Sequence, residues 1–235
     1  AQARTILMAA SDLRALARQA ADPFAGTFRV GVIPTISPYL LPDVAPSLSR
    51  AYPSLTLAWT EERTGALVRQ LYNGTLDAAI LAVEADLGGL EHEVLVHDPF
   101  LLAAAPEHPL GRAAGGATLD DLRGADVLLL DDGHCFRDQA LQLCSRVGAH
   151  ESGFRATSLA TLVQMASAGR GATLLPAIAL PVENRRGQLV VRPFTPPGPG
   201  RTIALAWRRG SALAVPLRAL ALSMRAALAS EHAVA

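Results

Sequence analysis

The chain of 235 residues contains no lysine, so all 21 of its basic residues are arginines, and 21 acidic residues balance them. It also has no densely basic segment. A protein surface that binds a nucleic-acid backbone needs a positive patch that neutralises phosphates. The composition therefore argues against these residues binding DNA or RNA by themselves.

Long apolar runs and further cysteines are also missing. No run approaches the ~18 residues of a membrane span, and the apolar run at residues 6–10 is too short for the core of a signal peptide. Cys135 and Cys144 are the only cysteines, too few for the disulfide scaffold of a small secreted protein. No four residues show familiar zinc-ligand spacings. We therefore expect a cytoplasmic protein with no membrane partner, no metal and no cofactor.

Strand-like and helix-like segments alternate along the chain. The segments "TFRVGVI", "LTLAWTE" and "LDAAILAV" are strand-like and are separated by runs with helical spacing, and a second such series starts near residue 99. This alternation predicts a parallel sheet flanked by helices. Two series joined by short crossings predict an α/β fold of two lobes with a cleft between them.

The breaks between these series set the predicted domain boundaries. Residues 1–22 carry apolar side chains at helical spacing until a Pro/Gly-containing segment ends the pattern, so we expect a connector helix there. The first lobe is predicted to comprise residues 23–98 together with 202–235. The second lobe is predicted to comprise residues 99–201, and it ends in a Pro/Gly-rich crossing.

Hydroxyl side chains recur where a predicted strand gives way to a predicted helix. Thr35 and Ser37, then Thr64, then Thr157 and Ser158 stand at three such junctions. Each could simply cap its helix. Helix N-termini, however, leave N–H groups unpaired and carry partial positive charge, and ligands of open α/β sheets bind near strand ends. Together the three junctions favour a site for a small polar or anionic ligand.

Both cysteines lie in one segment, "DDGHCFRDQALQLC" (residues 131–144), which is predicted to be a helix from His134 onward. Nine residues of helix place the two cysteines half a turn out of phase and ~13.5 Å apart along the axis. A disulfide needs Cα atoms within about 7 Å. The pair can therefore bond only if the helix unwinds.

The two thiols are predicted to differ in reactivity. Cys135 lies in the first helical turn beside His134 and near Arg137, a setting that favours the thiolate. Cys144 follows Leu143 on the apolar face and should be protonated and inert until it is exposed. One reactive and one sheltered thiol would suit a redox sensor with a resolving partner. Two unrelated structural cysteines in an Ala/Leu-rich domain remain the alternative at this point.

Four segments carry a family resemblance: "GVIPTISPYLLP", "DDGHCFRDQALQLC", "FRATSLATLVQMASAGRGATLLP" and "RTIALAWRRGS". Together they resemble the regulatory domain of the OxyR family, the hydrogen-peroxide sensors among LysR-type transcription regulators. The similarity runs from about residue 1 to the end, and the pattern GHC-x-RDQA-x-x-x-C is specific to this family. The resemblance implies a two-lobed effector-binding domain similar to periplasmic binding proteins.

The resemblance also implies roles for individual residues. It makes Cys135 the peroxide-reactive cysteine and Cys144 its disulfide partner. The residues that it assigns to peroxide binding are Thr35, Thr64 and His134. The residues that it makes supporting are Arg137, Asp138 and Arg201. For Arg137 and Asp138, an ordinary surface salt bridge is an equally good interpretation.

The partners follow from the same resemblance. It implies hydrogen peroxide as the signal, a homodimer or homotetramer, and a glutaredoxin-type reductant that resets the switch. The family's N-terminal winged helix-turn-helix is absent from this sequence, so promoter DNA and RNA polymerase would be partners of a full-length cytoplasmic regulator of antioxidant genes. Residues 1–22 would then connect the missing DNA-binding domain to this one.

Two other functional classes compete with a sensor that is not an enzyme. One is a LysR-type effector domain that binds a small metabolite and has two structural thiols. The other is a thiol peroxidase that turns over continuously with a reductant. A periplasmic solute-binding protein fits less well, because the GHC…C segment would have no purpose there.

Overall fold

A computed structural model describes residues 22–232 of the chain. The predicted connector helix, residues 1–22, lies outside this range except for its last residue. The strands are β1 Gly26–Val32, β2 Leu55–Glu61, β3 Ala78–Ala82, β4 Glu91–Ala104, β5 Asp126–Leu130, β6 His150–Ala156, β7 Ala172–Pro176, β8 Val190–Pro193 and β9 Gly200–Trp207. The α-helices are α1 Ser37–Ala51, α2 Thr64–Tyr72, α3 Pro109–Arg112, α4 Cys135–Val147, α5 Leu159–Ser167, α6 Leu180–Glu183 and α7 Ala214–His232.

The described chain forms two compact units. The first holds the residues up to Val96 and those from Thr202 onward, and the second runs from His97 to Arg201. The chain passes from one unit to the other within β4 and within β9. Along residues 22–232, no helix is long and apolar enough to cross a membrane.

The first unit is built on a sheet in the order β2-β1-β3-β9. Strand β1 pairs in parallel with both β2 and β3, and β3 pairs antiparallel with β9. All five residues of β3 are buried, as expected for a central strand with both faces covered, which reads as a continuous apolar run. Helix α1 packs against α7.

The second unit is built on β4, β7, β5 and β6, with β8 paired to β4. Strand β5 pairs in parallel with β6 and β7, whereas β4 pairs antiparallel with β7 and β8. The prediction of a parallel sheet was therefore right for the strands joined by crossover helices and wrong for β4, β8 and β9. Strand β8 was missed because it is only four residues long and ends at Pro193, at the start of the Pro-rich crossing.

Helix α4 carries both cysteines and is bounded by two glycines in the left-handed region. Gly133 has φ 88° and Gly148, the C-cap residue, has φ 70°, a conformation that side chains with a Cβ rarely adopt. The helix begins at Cys135, one residue later than predicted, with His134 as the N-cap. It packs against β5, β6 and the 3₁₀ turn Leu119–Leu122.

Candidate redox site

Thr35 and Thr64 occupy equivalent positions at the carboxyl edge of the first unit's sheet. In the parallel register of β1 and β2, Val32 is opposite Glu61, and each threonine follows three residues later. Both are buried. Neither caps a helix, because the N-cap residues of α1 and α2 are Ile36 and Arg63.

The Thr64 hydroxyl has no hydrogen-bond partner among the residues that the structure describes, although it is buried. A buried polar group without a partner costs about 1–3 kcal/mol, so such groups are rare and call for an explanation. A bound polar ligand would supply one. Ser158 is different: it is the N-cap of α5 and accepts a hydrogen bond from the Thr161 amide at 3.3 Å. The simple capping interpretation therefore holds for Ser158 but not for Thr35 or Thr64.

Most of the first turn of α4 is buried. The buried residues are His134, Cys135, Phe136 and Arg137, and Cys135 is 8% exposed. Helical periodicity places Cys135 on the face opposite Cys144, yet Cys144 is also buried, at 1% exposure. An amphipathic helix buries one stripe of its surface, whereas α4 buries a cysteine on each of two opposite faces, and in its first turn only Asp138 is exposed.

Neither cysteine is in a disulfide, and Cys144 is strongly held in its protonated form. Burial raises the pKa of the Cys144 thiol to about 11, and the negative charge of Glu151 contributes to that increase. A thiol with that pKa carries almost no thiolate at neutral pH, and the thiolate is the nucleophile. Cys144 therefore cannot attack another sulfur efficiently while it stays in this environment.

Arg137 is a buried side chain at the centre of a partly exposed ion cluster, not one half of an exposed salt bridge. Its guanidinium donates to Asp132 at 2.8 Å, to both carboxylate oxygens of Glu151 at 2.9 and 3.2 Å, and to the Leu130 carbonyl at 3.2 Å. The side chain is only 5% exposed. Arg155 bridges the same two carboxylates, with both contacts at 3.1 Å. We call Asp132, Arg137, Glu151 and Arg155 the Arg137 cluster.

Glu151 and Arg155 were missed by the sequence analysis. Both lie on β6, outside the cysteine motif, and only the pairing of β6 with β5 brings them next to α4. The hydrogen bond from Arg137 lowers the pKa of Glu151 against the opposing effect of burial, and the charges of Arg137 and Arg155 lower it further. The Glu151 carboxylate is therefore ionised at neutral pH.

Arg201 holds the other side of the same turn through Phe136. Arg201 is fully buried and donates from Nε to Asp98 Oδ2 at 2.9 Å. Its Cζ lies 5.7 Å from the centre of the Phe136 ring, within the range of a cation–π contact. Phe136 also makes an edge-to-face contact with Phe100, with ring centres 5.0 Å apart. The residue after Cys135 is thus fixed by an aromatic pair and a buried ion pair.

The remaining predicted residue, Asp138, is exposed on the first turn of α4. A carboxylate in this position is stabilised by the helix dipole. The predicted site residues fall in both units: Thr35 and Thr64 belong to the first unit, and the other six belong to the second. Among residues 22–232 there is no group of three or more His, Cys, Asp or Glu side chains that could hold a metal ion.

Comparison with known proteins gives one family. Residues 21–229 match the LysR substrate binding domain. A hydrogen peroxide-inducible genes activator from Dickeya chrysanthemi is 43% identical over 225 residues, which cover 95% of this chain and 73% of that protein. The matches confirm the predicted family resemblance.

Solved structures of OxyR in two forms are similar to this fold. The reduced form has a TM-score of 0.79 and 40% identity, and the comparison covers 88% of this chain and 98% of that one. The oxidised form has a TM-score of 0.79 and 41% identity, and it covers 89% and 99% of the two chains. These structures confirm the predicted α/β fold class.

The buried ion pair gives a first prediction. Asp98→Asn is expected to lower the free energy of unfolding by about 3–5 kcal/mol, because it removes the negative charge that faces the buried Arg201. The measurement is urea denaturation of both proteins. Asp120→Asn is the control: it breaks an exposed ion pair with Arg123 and should cost less than ~1 kcal/mol. Equal losses in the two variants would contradict the structural role given to Asp98.

The Arg137 cluster gives a prediction about pH. Because the pKa of Glu151 is lower in the folded chain than its ordinary value of 4.5, the ionised carboxylate stabilises the fold above that pH, and this stabilisation is lost as pH falls through the folded-state pKa. Wild type should exceed Glu151→Gln by about 1–3 kcal/mol at neutral pH. The gap should narrow in urea titrations performed below about pH 4.5. A gap that does not change with pH would rule out this contribution.

Proposed function

Because this chain belongs to the LysR substrate-binding domain family and is related within it to OxyR, we propose that it is the peroxide-sensing domain of a transcription regulator. One observation carries the proposal beyond the family. Two cysteines in unlike environments lie on one helix, neither in a disulfide, and OxyR, to which this chain is related, has been solved in reduced and oxidised forms.

The first chemical step is oxidation of Cys135. Its thiolate attacks one oxygen of hydrogen peroxide, the O–O bond breaks, and Cys135 becomes a sulfenic acid. The second oxygen leaves as hydroxide, which takes up a proton to form water. We assign the binding of peroxide to the hydroxyls of Thr35 and Thr64 and to His134. The buried Thr64 hydroxyl, which has no hydrogen-bond partner within residues 22–232, supports that assignment.

The second step forms the disulfide. Helix α4 unwinds from its first turn, because nine residues of helix hold the two cysteines ~13.5 Å apart. Unwinding also removes Cys144 from the burial that keeps it protonated. Its sulfur then attacks the Cys135 sulfenic acid, the S–O bond breaks, and water leaves. Arg137, Asp138 and Arg201 are the supporting residues of the reduced state.

The output is a change of oligomer. The disulfide fixes a new conformation of the segment that was α4, and this alters the surface through which a homodimer or homotetramer assembles. In the full-length protein the change would reposition DNA-binding domains on promoter DNA and alter contact with RNA polymerase. A glutaredoxin-type reductant in the cytoplasm would restore the dithiol. The domain acts once per signal, as a regulator and not as an enzyme.

Thiol counting with peptide mapping tests the proposal directly. One equivalent of hydrogen peroxide should remove both free thiols and yield a cross-linked peptide joining residues 135 and 144, which dithiothreitol separates. Cys135→Ser should form no such disulfide, since it lacks the sulfur that peroxide oxidises. Persistence of both thiols in excess peroxide would favour a metabolite-binding domain. Peroxide consumption far beyond one turnover per reduction would favour a thiol peroxidase.

The peroxide-binding role of Thr35 can be tested separately. Thr35→Val keeps the shape of the side chain but removes the hydroxyl, so the oxidation rate should fall at least about tenfold while the fold stays intact. Stopped-flow measurement of Cys135 oxidation gives the rate. Thr56→Val, an equivalent change at an exposed position of β2, is the control. An unchanged rate in Thr35→Val would remove Thr35 from the peroxide site.

A further inference from the structure

We propose that Glu151 is a positioning residue of the redox switch: by binding Arg137 it holds the first turn of α4 and opposes disulfide formation. The inference rests on the proposed function, in which that turn must unwind. It assigns a role to a residue outside the cysteine motif. The Arg137 cluster would then increase the free energy needed to unwind this turn, and so disfavour the disulfide form.

The hydrogen bonds of Arg137 join α4 to three separate points of the second unit. Asp132 lies in the loop before the helix, the Leu130 carbonyl ends β5, and Glu151 lies near the start of β6. Arg137 is two residues from Cys135, within the same helical turn. The turn therefore cannot move away from the sheet unless the guanidinium gives up these bonds.

Among the partners of Arg137, Glu151 provides the strongest single attachment. It accepts two bonds from the guanidinium, and charge-assisted bidentate pairs are stronger than single neutral hydrogen bonds. Its side chain is 25% exposed, whereas that of Asp132 is 71% exposed. Water and salt screen the exposed carboxylate more effectively. Loss of the Glu151 charge should therefore weaken the attachment more than loss of Asp132 would.

Arg155 strengthens the arrangement from the opposite side of the carboxylates. It is 46% exposed and donates to both Glu151 and Asp132. Two cations and two anions thus alternate around one site. Because Arg155 is more exposed than Arg137, its contribution should have the same sign and a smaller size.

By thermodynamic linkage, the contacts of the Arg137 cluster affect the equilibrium between the dithiol and the disulfide. An interaction that is present in the helical dithiol and absent from the disulfide form shifts the equilibrium toward the dithiol by its full differential strength. An interaction that is present in both forms shifts nothing. The equilibrium between the dithiol and the disulfide form therefore reports whether the Arg137 cluster opens. A substitution that lowers the stability of both forms equally would leave this equilibrium unchanged.

The test uses a glutathione redox buffer. One glutathione disulfide and the protein dithiol exchange to give the protein disulfide and two glutathione thiols, so the equilibrium constant follows from the fraction of cross-linked 135–144 peptide at known buffer ratios. In Glu151→Gln this constant should be higher than in wild type by about fivefold or more. Glu107→Gln, the same chemical change at an exposed position of the second unit, should leave it unchanged.

A second readout isolates the step that is affected. In a Cys144→Ser background, which stops the reaction at the sulfenic acid, trapping with dimedone measures the oxidation of Cys135 alone. Glu151→Gln should leave that rate within about twofold of the parent, since Glu151 contacts Arg137 and not peroxide. Faster or slower oxidation there by tenfold would place Glu151 in the peroxide chemistry and overturn the positioning role.

The outcomes separate this inference from the function it rests on. A wild-type protein that forms no 135–144 disulfide removes the proposed function, and the inference with it. A wild-type disulfide together with an equal equilibrium constant in Glu151→Gln overturns the inference alone, because the cluster would then persist in both forms. If Glu151→Gln does not fold, Arg155→Gln replaces it, with a smaller shift expected in the same direction and no shift counting against the inference.

Discussion

The geometry of helix α4 is the constraint on which the proposed redox chemistry depends. While the helix stands, Cys135 and Cys144 are separated by ~13.5 Å along its axis, about twice the Cα distance that a disulfide allows. No side-chain rotation can close that gap. Burial adds a second restraint, because it raises the pKa of Cys144 to about 11. A disulfide between these two cysteines would therefore require a rearrangement of the backbone.

The contacts at the Cys135 end of α4 are suited to the proposed two-state switch. Phe136 is held by an aromatic partner and a buried ion pair, and Arg137 by the cluster that includes Glu151. Farther along the helix, Gln142 and Arg146 are exposed. Directional polar contacts in a buried site lose most of their strength when geometry changes. If the first turn of α4 unwinds, the contacts of Phe136 and Arg137 are therefore lost together.

Much of the fold could be predicted because parallel strands and their crossover helices leave local signals in the sequence. Strand β2 has the bounds of the strand-like segment "LTLAWTE", and β5 and β7 are short, mainly apolar runs. The direction of β4, β8 and β9 could not be predicted, since pairing is decided by residues distant in the chain. In the candidate site, too, local features could be predicted and features set by distant residues could not. The motif identifies Cys135 and Arg137, but the burial of Arg137 and its pairing with Glu151 arise only when β6 lies beside β5.

At the buried basic positions, arginine makes contacts that lysine could not make. Arg137, Arg192 and Arg201 are all buried, and all belong to the unit that carries the cysteines. Arg192 donates to the carbonyls of Gly115 and Gly116 and to Asp121, and so fixes the loop before the 3₁₀ turn that packs on α4. Each guanidinium offers several donors in a planar fork, whereas an ammonium is a compact point charge. Lysine at these positions would retain the charge and lose the simultaneous contacts, so the buried architecture around α4 depends on arginine specifically.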